Sequence, residues 1–313
     1  MIVLENGALR IEIDPQVGGA ITSVVHQKTG LSVLGRTPWD IMSLPSGSGI
    51  IENEDGWLRT YPGGWPLLFP NGGDACEFEG VHHGFHGEAS ISPWQCETDG
   101  VSAWLTRRFY SLPVTMERKI EINGDSLLID ESVILNGDTP VRVMWTHHPS
   151  FGGDLLDGDF EIQTGARKVV VDDTFEMDTN PLVPGAEGPW PVVPGKTGPY
   201  NLSRPVVGKS TMAYLHDFDD AMVSIRRTDG SIGATLTWDE NRFPYAWMWC
   251  ELGGTLEPPW YGRARLIGLE PGTSWPGTGL ADVARRGGPL LTLTPGEPAT
   301  AWLKLQVFEP KGA

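Results

Sequence analysis

The chain has 313 residues, with 40 acidic against 23 basic side chains and a formal net charge of −17. A field of that sign repels nucleic acid and anionic membrane surfaces, so neither is expected as a partner. No run of about 18 apolar residues offers a membrane span, and Met1-Ile-Val-Leu-Glu-Asn-Gly enters a strand pattern without a basic and apolar leader, so a cytoplasmic location is expected.

Gly 40 and Pro 26 make up about a fifth of the chain and are scattered along it, which cuts the sequence into short segments and leaves little room for long helices. Leu9 to Asp14 alternates apolar and polar side chains, Gly18-Gly19 turns the chain, and Ile21 to His26 resumes as a second strand. Pro45 to Gly73 has no period and reads as a long ordered loop. From Val101 to Thr146 the alternation recurs as an antiparallel meander: Ala103 to Tyr110, Val114 to Ile122, a turn at Asn123-Gly124, Ser126 to Leu135, a turn at Asn136-Gly137, and Val141 to Thr146. Asn180 to Gly208 is a second long loop. Strands follow at Ala221 to Arg227, Gly233 to Trp238, Tyr245 to Glu251, Arg265 to Glu270, Leu290 to Leu293 and Ala299 to Phe308, while Leu280 to Arg286 alone hints at helix. The fold class is all-β, and residues 1–313 read as one sandwich domain, because such sandwiches often run this long undivided. Cys76, Cys96 and Cys250 lack paired spacing and read as reduced thiols.

Five of the seven histidines fall in two short runs, His82-His83-Gly84-Phe85-His86 and His147-His148-Pro149-Ser150. The second run ends a strand, where a side chain can face a cleft. Adjacent histidines on a strand point to opposite faces, so each pair contributes one member inward. That count, and the lack of an H-E-x-x-H signature, argue against a catalytic metal. Glu270 ends an apolar strand just before Pro271, as a loop cap or a site residue. Upstream, Phe243 to Glu251 interleaves aromatics with an acid. Tryptophans such as Trp249 stack on the apolar faces of sugar rings, and Glu251 lies two residues further on.

Read together, His83-Gly84-Phe85 followed by Trp94, then His148-Pro149-Ser150-Phe151, then Leu269-Glu270-Pro271 occur in the order seen in aldose 1-epimerases. The opening Gly18-Gly19-Ala20-Ile21 and the segment Gly63 to Gly73 extend the likeness, and the chain resembles galactose-mutarotase-like proteins over nearly all of its length. The resemblance implies a large antiparallel β-supersandwich that interconverts the anomers of a monosaccharide without cofactor or metal, as a monomer or homodimer. It assigns Glu270 as the base at O1, His148 as the acid at the ring oxygen, and His83 as a second contact on that side. Many relatives carry a sugar-binding arginine where this chain reads Tyr61-Pro62-Gly63-Gly64, which leaves Arg59 or another arginine as the substitute. The family's sugar-binding aspartate corresponds to Asp217 or Asp219. Two other readings stand beside this one. The first is a sugar-binding protein that has lost catalysis; the second is a lyase or glycoside-processing enzyme that pairs Glu251 with Glu270, whose carboxylate separation would distinguish retention from inversion.

Overall fold

The computed structural model describes residues 1–42 and 50–310, so Pro45 to Gly49 of the first long loop lie outside the described residues. The backbone is almost entirely antiparallel strand. Ile2–Glu5, Leu9–Asp14, Ala20–His26 and Leu31–Ser32 form a four-stranded meander. A 14-stranded sheet carries the rest of the framework; its path runs from Leu67–Leu68 through Thr146–His147, Arg265–Gly272, Tyr245–Leu252 and Ser210–Arg227, and on through Gly233–Trp238 and Ala299–Phe308 to Ser126–Leu135 and Val114–Asn123. Alternation predicts most of these strands because each buries one face: Leu9–Asp14 shows buried residues at every second position, and Val114–Asn123 does the same over ten residues. One hydrophobic cluster joins the two sheets, from Leu4, Ile11 and Ile13 to Leu105, Ile120, Leu305 and Val307.

Two strands differ from expectation. Phe160–Val171 is a 12-residue strand that the sequence pattern hides, since Gly165 and a register shift between Thr164 and Ala166 break its period. Its partner begins at Ser210, 11 residues before the expected Ala221, and runs through the charged segment His216 to Asp220. There a bulge puts Asp217 at φ +60°, which turns its side chain toward Arg167 and Lys168 at the surface. The two long loops carry local structure of their own. The first holds the short helix Glu54–Leu58, and the second holds the hairpin Val192–Gly195 with Gly198–Asn201. The expected helix is present as Leu280–Arg285. All three cysteines are free thiols. No described helix is long and apolar enough to cross a membrane.

Candidate functional site

The site is built from rows of residues that face each other across the large sheet. Thr146 pairs with Gly272 and Ser150 with Gly268, so the same antiparallel register sets His148 directly opposite Glu270. Glu270 is in turn opposite Trp247, and Trp247 opposite Tyr214. One row of one face therefore reads His148, Glu270, Trp247, Tyr214. The next row on that face reads Ser150, Gly268, Trp249, Met212, and the amide of Asp172 donates to the Met212 carbonyl at 3.1 Å to extend it. Together these rows floor a cleft of about 350 Å³, whose walls come from Trp57, Tyr61, Phe85, His86, Phe175 and Trp260. Alternation sends the neighbouring His147 to the opposite face. There Trp65 donates to its Nδ1 at 3.1 Å, and its Nε2 lies 3.0 Å from Glu131, which also pairs with the buried Arg118 at 2.6 Å. Burial alone would raise the Glu131 carboxyl, yet its contacts with His147 and Arg118 hold it at about 2.

His148 Nε2 and Glu270 Oε1 are 3.5 Å apart, with the two residues 6% and 1% exposed. Glu270 Oε2 is buried without a hydrogen-bond partner among the described residues, so it is free to meet a ligand. Gly268 makes room for this carboxylate: a Cβ at that position would lie 2.2 Å from Glu270 Oε1. Burial pushes Glu270 well above the usual carboxylate range and brings His148 down to about 4. The Ser150 hydroxyl meets His148 Nδ1 at 3.2 Å and also hydrogen-bonds the Tyr61 hydroxyl, whose own ionisation burial pushes up. His86 sits at φ +57°, and its Nδ1 accepts from the amide of Gly73 at 2.9 Å. Burial, with the nearby His148 adding to it, holds His86 well below its ordinary value, so the ring is neutral and its proton is on Nε2. Across the cleft, Asp172 accepts from the amides of Thr174 and Phe175, each at 2.7 Å, and from the hydroxyl of Tyr214.

A family model described as a domain of unknown function, DUF4432, matches residues 2–307. The chain belongs to the DUF4432 family. No curated protein matches it. Among solved structures, this DUF4432 protein is similar to a galactose mutarotase-like protein from Lactobacillus casei ATCC 334, at 16% identity and a TM-score of 0.67 over 98% of this chain and 100% of that one. It is similar to a galactose mutarotase related enzyme from Lactobacillus acidophilus, at 16% identity and a TM-score of 0.64 over 99% of both chains. A candidate aldose 1-epimerase from Escherichia coli K12 shares 17% identity and a TM-score of 0.68 over 98% of both chains. The fold of the DUF4432 chain is galactose-mutarotase-like.

Of the residues singled out in the sequence, the DUF4432 cleft brings together Glu270, His148 and Trp249. The others lie elsewhere. His83 is 3% exposed at the end of a hairpin, paired with Cys76, and the histidine of this run that lines the cleft is His86. The run contains two overlapping His-Gly pairs, 83–84 and 86–87, and the second faces the site. Gly87 serves the same turn, since at φ +70° its Cβ would lie 2.4 Å from the Phe69 carbonyl. Arg59 caps the short helix, exposed and paired with Asp55 at 2.8 Å. Glu251 is fully buried, accepting from the amides of Gly254 and Thr255 and from the Thr255 hydroxyl, so it ties down a turn and is not available as a second catalytic carboxylate. Asp217 and Asp219 lie on the surface with Arg167. Sequence reasoning missed Asp172, Tyr214, Tyr61 and His86. Among the described residues no Lys or Arg lines the cleft, and none form a group of three or more metal-ligating side chains.

Proposed function

We propose that this chain is an aldose 1-epimerase acting on a free, uncharged aldose, with Glu270 as the base and His148 as the acid. The observation that carries the reading is the facing pair itself. A hemiacetal has O1 and the ring oxygen on the same carbon, and an imidazole nitrogen 3.5 Å from a carboxylate oxygen is at the separation that serves both at once. The aromatic walls suit the apolar faces of a sugar ring, and the His86 Nε2–H supplies a fixed donor.

Burial at the floor of the cleft favours a protonated Glu270 and a neutral His148. That state holds one proton, as does the pair of a Glu270 carboxylate and a His148 imidazolium. Shifting the proton across the gap therefore arms acid and base together, without exchange with solvent. Glu270 then takes the proton from O1 while His148 gives its Nε2 proton to the ring oxygen; the bond between C1 and the ring oxygen breaks as the C1=O1 double bond forms. After rotation about C1–C2 the steps run in reverse. His148 takes the proton from the ring-oxygen hydroxyl, that oxygen attacks the other face of C1, and Glu270 returns a proton to O1. Paired transfer of this kind contributes on the order of 10²–10⁴ in rate.

Polarimetry of freshly dissolved glucose, galactose, mannose and xylose tests the reading. The protein is expected to accelerate at least one above the buffer rate, and Glu270→Gln to lose roughly 10²–10⁴ of that acceleration. No acceleration with any aldose would overturn the function, and full activity in Glu270→Gln would overturn the role of Glu270.

A further inference from the structure

The cleft does not end at its mouth. A second cavity of about 510 Å³ adjoins it and shares Glu54, Leu58, Thr174, Phe175, Trp249 and Trp260 as common walls. The outer lobe adds Met177, Pro258, Glu176 and Glu257, on the segment after Asp172 and on the turn that Glu251 ties down. Trp249 and Trp260 stand between the two lobes with ring centroids 5.7 Å apart, and Trp260 is braced from behind by Trp39 at 4.7 Å.

The direction of the cleft fixes what can reach this lobe. Glu270 and His148 are at the buried floor, whereas Glu54 and Asp74 are exposed at the opening. A ring with C1 at the floor turns its far side outward, and a second ring linked there leads into the outer lobe. Aromatic faces flanked by carboxylate and hydroxyl acceptors are the chemistry that holds a pyranose. Among the described residues neither lobe is lined by Lys or Arg, and carboxylates line both, so a phosphorylated or uronic sugar is disfavoured.

We propose that the outer lobe is a second sugar subsite, which holds the neighbouring ring of a neutral reducing disaccharide or longer oligosaccharide whose reducing end occupies the floor. This rests on the epimerase reading for the placement of C1. The test compares the best-binding monosaccharide of the panel above with the 4-linked disaccharide that carries it at its reducing end, by titration calorimetry for affinity and polarimetry for turnover. The disaccharide is expected to bind about tenfold tighter, a difference of about 1.4 kcal/mol. Met177→Trp, which fills the lobe, is expected to erase that difference and leave the monosaccharide constant unchanged; Glu176→Trp fills the lobe from an exposed position and serves if the first variant misfolds. A disaccharide that binds no tighter than its monosaccharide, or an advantage that survives both variants, overturns the subsite while mutarotation of the monosaccharide still stands. Absence of mutarotation with every sugar instead overturns the epimerase reading, and the calorimetric comparison still decides the subsite.

Discussion

Replacing either member of the buried pair separates two pH dependences that oppose each other in the intact protein. Burial brings His148 down to about 4, against 6.5 for an exposed imidazole. Below pH 6.5 the unfolded chain therefore takes up a proton that the folded chain refuses, and stability is lost as pH falls toward about 4. Glu270 works in the opposite sense: its folded carboxyl is raised well above 4.5, so it holds a proton that the unfolded chain releases, and stability is gained as pH falls toward 4.5. The histidine's contribution amounts to about 1.4 kcal/mol per pH unit, or about 2 kcal/mol between pH 6.5 and 5. His148→Gln removes the histidine's dependence and is expected to gain about 2 kcal/mol relative to wild type on going from pH 7 to pH 5; Glu270→Gln removes the opposing one and is expected to lose stability relative to wild type over the same interval. Urea unfolding of the three proteins at both pH values measures this, and taking differences removes the part common to all of them, including the Glu131 network. Three parallel pH dependences would refute the claim that burial governs this pair.

Gly268→Ala is expected to fold with little loss, because the atom its Cβ displaces is the tip of the Glu270 side chain, which can rotate away. The same rotation carries the carboxylate off His148, so kcat should fall at least tenfold while the thermal midpoint stays close to wild type, as polarimetry and calorimetric melting would record. Arg118→Ala leaves Glu131 buried with an uncompensated charge and should cost about 3–5 kcal/mol of stability by urea unfolding.

How much of this site was legible in the sequence depends on how each residue reaches the cleft. Glu270 and His148 are readable as strand-end residues; alternation puts His147 and His148 on opposite faces, and the Pro149-Ser150-Phe151 motif of the resemblance is what selects His148. Trp249 shares the face of Trp247 by the same period of two. Asp172 and Tyr214 are not readable in this way. They arrive through the pairing of Phe160–Val171 with Ser210–Arg227, and the bulge between Thr164 and Ala166 hides the first strand while the charged segment at His216 shortens the second. His86 is visible as a residue, but the choice between two His-Gly pairs three residues apart turns on the left-handed backbone at His86 and Gly87, which no local pattern announces. The charge on Glu251 marks it as important, but its partners come from the turn three and four residues later.

Because His148 and Glu270 face each other across a hydrogen-bonded ladder, their spacing belongs to the backbone of the sheet. The walls have a different origin, in the helix Glu54–Leu58, the segment that follows Asp172 and the turn at Gly254 to Trp260. The facing pair and the walls around it are thus separable parts of one chain. On the epimerase reading proposed above, exchanging the walls would redirect which sugar is chosen and leave the geometry of the facing pair intact, which makes the cleft a scaffold for grafting new specificities.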